Sequence, residues 1–511
     1  MSAEHVEVRH GTYHDSVTLM RVSRELTRRA DVTGALTAMA TALNLELLAG
    51  LGFDPPQAGP ADLLVAIRAV DRAGLDSART ALDTLLAEAS APPTAGNGTA
   101  APRPARTTGS AARRIDGTIA LVSVPGPHAF VEAMDALAAG LNVMVFSDNV
   151  PLEQEIALKE EAARRDLIVM GPDCGTAVVG GAGLGFANVV RPGPVGLVAA
   201  SGTGSQQLMS LLDTAGVGIS HALGVGGRDL SAAVSGRSTL QALAALDADP
   251  ATELIIVVSK PPAARVTALV REAVRRLRTP ALLALLGPRR PDLTAVAERA
   301  LASLGAAVPD WPRWPAAPAG TRRPGSLRGL YAGGTLRDEA LLVATAALGS
   351  VRANGTPAGA SGPDGRRREG PGSGPAPGAP WTPGRRSEGH CMIDFGADEL
   401  TRGRAHPLMD PTLRLERLAA EAADPSCGVI LLDVVLGHGA EPDPSALLAP
   451  AIEEGLAARP GDLSVVVSLC GTDSDPQDRD RQAATLYGAG ASVFASNAAA
   501  ARHAVSLIEE P

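Results

Sequence analysis

Ser201-Gly202-Thr203-Gly204-Ser205 stands between an apolar run, Val195–Ala199, and a segment with helical spacing. A glycine turn between a parallel strand and a helix leaves backbone N–H groups pointing out of the positive end of the helix dipole, an arrangement suited to phosphate or carboxylate. Gly226, Gly227 and Arg228 lie in a similar turn, Gly224–Asp229, after the apolar run Ile219–Leu223. Two readings of the first turn stay open on pattern alone: anion binding through Gly202 and Gly204, or helix capping by Ser201 and Thr203. No lysine has Walker spacing to that turn, so it is not a P-loop. Gly437-His438-Gly439 follows the run Gly428–Val434 as a further strand-end turn, with His438 a candidate ligand or acid–base group. Glu441 and Asp443 come next and would repel an anion unless they cap a helix.

Lys260 closes the apolar run Leu254–Ser259. Only Lys159 and Lys260 are lysines among the 46 basic residues. A compact ammonium at a strand end suits a point contact with phosphate; the other reading is a lysine snorkelling into solvent. Lys159 is expected on an exposed helix face. Asp148, Asn149 and Asp173 fall at the ends of two more apolar runs and are candidate substrate contacts. Cys174 reads as a small buried residue rather than a nucleophile. Asp473-Ser474-Asp475 reads as a helix-capping loop rather than a metal site, and no metal is implied.

The elements that must position these residues follow an α/β rhythm. Near-continuous apolar strands alternate with amphipathic helices, which means parallel sheets covered on both faces, with ligands at the carboxyl ends of the strands. Residues 1–90 read as a small N-terminal αβ unit and 91–114 as a linker. A Rossmann-like unit spans 115–190, a second α/β unit 191–308, and a Trp/Pro/Ala connector 309–326. A third α/β unit spans 327–511, with a Gly/Pro/Arg/Ser-rich insertion at 350–389 expected to be disordered. No GxGxxG marks the first turn of the Rossmann-like unit, which disfavours a nicotinamide or flavin site.

Composition bounds the function. A net charge of −9 argues against nucleic acid or an anionic membrane as partner. Four widely spaced cysteines give neither a disulfide framework nor a zinc site. No apolar run approaches the length of a membrane span, and a cytoplasmic protein is expected.

The motifs Gly171–Gly175, Ser201–Gly204 and Gly224–Asp229 resemble, in order and spacing, the succinyl-CoA synthetase α subunit. Leu432–Pro444 looks like the CoA-ligase domain of that enzyme's β subunit, fused onto the same chain. The sequence is more similar still to the FdrA family of acyl-CoA-synthetase-like proteins, through DSVTLM at Asp15–Met20, FSDNV at Phe146–Val150, MGPDCGTA at Met170–Ala177, LGFANVV at Leu184–Val190, SKPP at Ser259–Pro262 and LDVVLGHGAEPDP at Leu432–Pro444. The resemblance implies a Rossmann-like CoA-binding-type domain, two flavodoxin-like CoA-ligase domains and a small N-terminal αβ unit. The synthetase's phosphohistidine has no counterpart between Lys260 and Ala307, and Lys260 stands where that enzyme has the glutamate orienting it. Nor is there a long ATP-grasp segment.

The FdrA resemblance implies a subunit of an oxamate carbamoyltransferase. That enzyme exchanges carbamoyl phosphate plus oxamate with oxalurate plus phosphate in allantoin breakdown, working with separate partner subunits in an oligomer. Lys260 and His438 are then the candidate catalytic residues. No cofactor is required, and CoA is a possible ligand. The alternatives are a CoA-thioester enzyme of the acyl-CoA synthetase type and a non-catalytic CoA- or metabolite-binding scaffold.

Overall fold

The computed structural model describes residues 2–14, 16–90, 105–260, 262–314, 322–354, 387–401 and 404–509. The chain divides into two compact units, Met1–Arg106 with Arg402–Ala405, and Thr107–Thr401 with His406–Pro511.

In the first unit the order is β1 (Ala3–Arg9), α1 (Ser16–Thr27), β2 (Val32–Met39), α2 (Ala42–Gly50), β3 (Leu63–Ala69) and α3 (Arg72–Ser90). The sheet order is β1-β3-β2, with β3 antiparallel to both neighbours. Side chains alternate across a strand, so β3 serves two cores. Leu63, Val65 and Ile67 meet Leu19, Val22 and Leu82 of α1 and α3, while Leu64 and Ala66 meet Leu48 and Phe53 on the other face. Asp15, the first residue of the DSVTLM motif, lies outside the described residues.

The second unit opens with α4 (Thr108–Ala112), a short helix closed by a Thr107–Ser110 capping box. It falls inside the segment read as linker; residues 91–104 of that segment lie outside the described residues. Next come β4 (Ile119–Val122), α5 (Gly126–Ala138), β5 (Asn142–Val145), α6 (Leu152–Arg164) and β6 (Val169–Met170), forming a parallel sheet in the order β4-β5-β6. On α6, Lys159 is fully buried rather than exposed: its Nζ donates to Glu155 and Asp229, each at 2.8 Å, and to the Val225 carbonyl at 3.0 Å.

A six-stranded sheet follows. It takes the hairpin β7 (Thr176–Val179) and β8 (Ala182–Gly185), then β9 (Pro192–Ala199), α7 (Gly202–Thr214), β10 (Ile219–Gly224), α8 (Arg237–Ala248), β11 (Leu254–Ser259), α9 (Ala264–Arg276), β12 (Ala281–Leu285) and α10 (Leu293–Ser303). The sheet order is β12-β11-β9-β10-β7-β8.

The last sheet takes β13 (Arg313–Trp314), β14 (Ser326–Tyr331), α11 (Gly334–Leu348), β15 (Arg352–Ala353), β16 (Cys391–Asp394), α12 (Asp398–Thr401), α13 (Thr412–Ala423), β17 (Cys427–Val435), α14 (Pro444–Ala458), β18 (Ser464–Cys470), α15 (Arg479–Gly488), β19 (Ser492–Phe494) and α16 (Asn497–Ser506). Its order is β13-β19-β18-β17-β14-β16-β15. Every residue of β17 is buried, as a parallel strand covered on both faces requires. The connector is partly structured: β13 pairs antiparallel with β19, and Trp311 Nε1 donates to Glu298 at 3.0 Å. Of the expected insertion, 355–386 lies outside the described residues; its flank Arg352–Ala353 pairs with β16.

Both large sheets contribute to one apolar core. Leu208 and Met209 of α7 and Leu336 and Ala340 of α11 lie in it, joined by residues of α10 and α16. Because β9 and β14 each turn through glycine into the next helix, this core brings two helix N-termini together.

Candidate functional site

Ser201 is the N-cap of α7, and its Oγ accepts from the Gly204 N–H at 3.0 Å. The same hydroxyl donates to Thr335 Oγ1 at 2.6 Å, in the first turn of α11. The N-cap of α11 is Gly333, with no side chain capping the helix. A Cβ at Gly333 would sit 2.9 Å from Thr203 Oγ1, so this approach of the two turns requires glycine. Asp433 of β17 fixes the α11 turn by accepting from the Ala332 and Gly333 N–H groups, both at 2.8 Å. Arg414 balances that buried carboxylate, donating to Asp433 Oδ1 at 2.9 Å and to its carbonyl at 2.7 Å. Burial still pushes the Asp433 carboxyl above its ordinary range, against the pull of Arg414 and the two amides.

Three charged or titratable groups border the α11 terminus. Lys260, at the end of β11, has its Nζ 3.4 Å from Asp338 Oδ2, and Asp338 pairs with Arg337 at 2.9 Å. A Cβ at Gly334 would lie 3.1 Å from Lys260 Nζ and 2.5 Å from Asp394 Oδ2, placing both groups beside the first residue of α11. Asp394 ends β16, where Asn354 accepts from its N–H at 2.7 Å and donates to its carbonyl at 2.9 Å. Burial pushes its carboxyl up to about 6 against the opposing charges of Arg337 and Lys260. The third group is His406, whose Nε2 would lie 3.0 Å from a Cβ at Gly396, itself 3.2 Å from Asp394 Oδ1. The arrangement presents the uncapped amides of α11 and an ammonium, which suits a phosphate-bearing anion.

Of the sequence-predicted residues, Ser201, Gly202, Thr203, Gly204 and Lys260 flank this point. Their glycines have different roles. A Cβ at Gly204 would sit 3.0 Å from Thr335 Cγ2, so that glycine serves helix–helix approach, while one at Gly202 would press on Thr176 Oγ1 at 3.3 Å. A side chain at 202 therefore disturbs the β7 hairpin as well as any anion.

Asp148, Asn149, Asp173, Gly226, Gly227 and Arg228 form a different cluster, at the carboxyl ends of β5, β6 and β10. Gly226 there allows close packing, since its Cβ would meet the Pro172 carbonyl at 2.5 Å; Gly227 faces open space. Arg228 reaches the Val150 carbonyl at 2.7 Å and Glu155 at 2.9 Å.

The Gly437–Gly439 turn, with His438 a candidate ligand or acid–base group, has its first two N–H groups taken within the protein. The His438 N–H donates to the Ala187 carbonyl at 2.8 Å and Gly437 N–H to Gln477 at 3.0 Å, so the turn docks beside hairpin β7–β8. Asp443 caps α14 through the Ala446 N–H. Asp475 likewise serves structure, accepting from the Thr472 and Val189 N–H groups. Cys174 is buried with its thiol pushed up to about 12 by desolvation, so it offers no thiolate at neutral pH.

Thr335, Asp394, Asp433, Arg414 and His406 were missed. Gly333-Gly334-Thr335 after the run Leu327–Tyr331 repeats the strand–glycine–helix pattern of Ser201–Gly204 and was the one available signal.

YahF of Escherichia coli K12, an uncharacterized protein, is 36% identical over 530 residues, covering 96% of this chain and 96% of YahF. The chain belongs to the YahF family. Residues 330–507 match the CoA-ligase family, and 1–103 match the AllF heavy metal-associated domain. The second name implies a metal that residues 1–103 do not suit: all four cysteines lie at or beyond Cys174, and among the described residues no group of three metal-binding side chains forms. Succinate–CoA ligase subunit alpha 2 of Archaeoglobus fulgidus is 28% identical over 154 residues, 29% of this chain and 52% of that subunit. The chain thus spans about half of that subunit. ATP citrate lyase of Methanothrix soehngenii, solved with citrate and coenzyme A, matches 39% of this chain and 37% of its own at 19% identity and a TM-score of 0.32, a likeness that carries no argument. No helix among the described residues is long and apolar enough to cross a membrane.

Proposed function

We propose that the YahF-family chain is an FdrA-like enzyme of the acyl-CoA synthetase type, moving an acyl group between an acyl phosphate and the thiol of CoA. The observation that supports this most is the meeting of the α7 and α11 N-termini at Ser201 and Thr335, 2.6 Å apart, with Lys260 at its rim. Opposed helix termini favour the multiply charged end of an acyl phosphate.

Acyl phosphate and thiol give thioester and inorganic phosphate. The carbonyl carbon gains a bond to sulfur and loses its bond to the bridging oxygen, and the phosphate departs with that electron pair and the thiol proton. The helix amides and Lys260 hold the phosphate before and after the step. Bound CoA would supply only the thiol nucleophile. Its residues would be those of the separate cluster, Arg228, Asp148 and Asn149, beside the open face of Gly227, where a half-exposed arginine held by Glu155 and small polar groups suit a nucleotide. Lys260 in place of a histidine-orienting glutamate fits free phosphate rather than a phosphate carried on protein.

The relatives lend nothing to carbamoyl transfer onto oxamate, but carbamoyl phosphate is itself an acyl phosphate and belongs in the test. Full-length protein is incubated with CoA, oxamate and either acetyl or carbamoyl phosphate, without ATP, and thioester, oxalurate and phosphate are measured. Thioester formation is expected. Carbamoyl transfer to oxamate that ignores CoA would replace this reading with the carbamoyltransferase one.

A further inference from the structure

His406 reaches the same point of the fold from a loop between α12 and α13. Its Nδ1 accepts the Leu408 N–H at 3.2 Å, which leaves the proton of the neutral ring on Nε2. The ring is held against Phe186, with centroids 5.4 Å apart. Nε2 then lies beside Gly396, where an added Cβ would be 3.0 Å from it, 2.8 Å from the Ala332 carbonyl and 3.2 Å from Asp394 Oδ1, so only glycine leaves this N–H uncovered. Ala332 immediately precedes the α11 turn, so this N–H borders the mouth in which Lys260 and the helix amides converge.

We propose that His406 is a catalytic residue whose neutral Nε2–H donates to the acyl oxygen of the substrate while the α11 terminus and Lys260 hold its phosphate. The inference rests on the acyl-phosphate reading of the site. Burial drives the imidazole down to about 4, so at neutral pH it is a hydrogen-bond donor and not a cation. A donor aimed at the oxygen that gains charge as the carbonyl is attacked is most useful in the transition state. The neighbouring Asp394 cannot fill that role in its ionised form, because a carboxylate accepts and does not donate.

The test follows binding in the full-length protein. Histidine labelled with ¹⁵N is observed during titration with inorganic phosphate and then acetyl phosphate, and His406→Gln identifies the His406 signals by their loss. Expected are Nε2-protonated neutral signals at pH 7 that move with acetyl phosphate. His406→Leu should keep its affinity for inorganic phosphate but lose about tenfold for acetyl phosphate, the effect of one hydrogen bond. His406→Gln, with an N–H near the same place, should recover most of that loss. Acetyl phosphate binding that leaves the His406 signals still and His406→Leu unaffected would overturn the role of His406 alone. Failure of both phosphates to bind wild type would overturn the site reading and this inference with it.

Discussion

Ser201 Oγ donates to Thr335 Oγ1 at 2.6 Å, joining the first turns of two helices that lie 134 residues apart in sequence. Ser201 also caps its own helix through the Gly204 N–H, whereas Thr335 only receives. Ser201→Ala therefore removes a cap and the link, costing about 1 kcal/mol from the cap alone. Thr335→Val removes only the link. Calorimetric unfolding should rank the midpoints wild type, then Thr335→Val, then Ser201→Ala; a reversed order of the two variants would deny the capping role.

Lys159 neutralises Glu155 and Asp229 in a fully buried site. Lys159→Met would leave Asp229 without its buried cation and Glu155 with Arg228 alone, a loss of about 3–5 kcal/mol by the precedent of broken buried pairs. Denaturant unfolding should show a clearly lowered midpoint. An unchanged midpoint would mean that the site admits water.

Glu339 accepts from the Leu293 N–H at 2.6 Å and from Asn497 Nδ2 at 2.7 Å, and burial still pushes its carboxyl from the ordinary 4.5 up to about 7. Between those values the folded chain holds a proton that the unfolded chain has released. Stability from this group therefore falls as pH rises from about 4.5 to about 7, by about 3 kcal/mol at full extent. His406 acts oppositely, its depressed value favouring the fold as pH rises from about 4 to its ordinary 6.5. Comparison with Glu339→Gln isolates the carboxyl: the variant's midpoint should fall less between pH 5 and pH 7 than that of wild type. Parallel pH profiles would assign the slope elsewhere.

The strands were legible because burial on both faces leaves long apolar runs, so Leu254–Ser259 could be bounded to the residue. Ser201 and Lys260 were legible because each ends such a run. Asp394 and His406 were not. Each is an ordinary residue in its own segment, and only the pairing of β16 beside β14 and the fold of the 406–408 turn bring them to Gly334 and Gly396. Lys159 misled for the same reason: helical spacing shows a polar position, but not the Asp229 that waits across the interface. His438 stood between two glycines at a strand end, yet those glycines serve contact with the 183–189 segment, where a Cβ at Gly437 would meet Ala187 at 2.6 Å.

Gly334→Ala places a methyl group 2.5 Å from Asp394 Oδ2 and 3.1 Å from Lys260 Nζ. The lysine can swing away, but the buried carboxylate cannot. Phosphate affinity should fall on the order of tenfold, about 1.4 kcal/mol, with α11 itself intact because alanine is a good helix former. Full affinity in this variant would place the anion away from the first residue of α11.

The mouth between α7 and α11 is proposed to hold phosphate with Lys260 at its rim. Calorimetric titration of the full-length protein with inorganic phosphate, beside Lys260→Ala and Lys260→Arg, tests it most directly. The lysine side chain is 44% exposed and its ion pair to Asp338 is long, so both variants should fold as wild type does. Wild type should bind, Lys260→Ala should bind far more weakly, and Lys260→Arg should recover little, because a planar guanidinium does not replace a point ammonium there. Equal binding by wild type and a folded Lys260→Ala would contradict the claim.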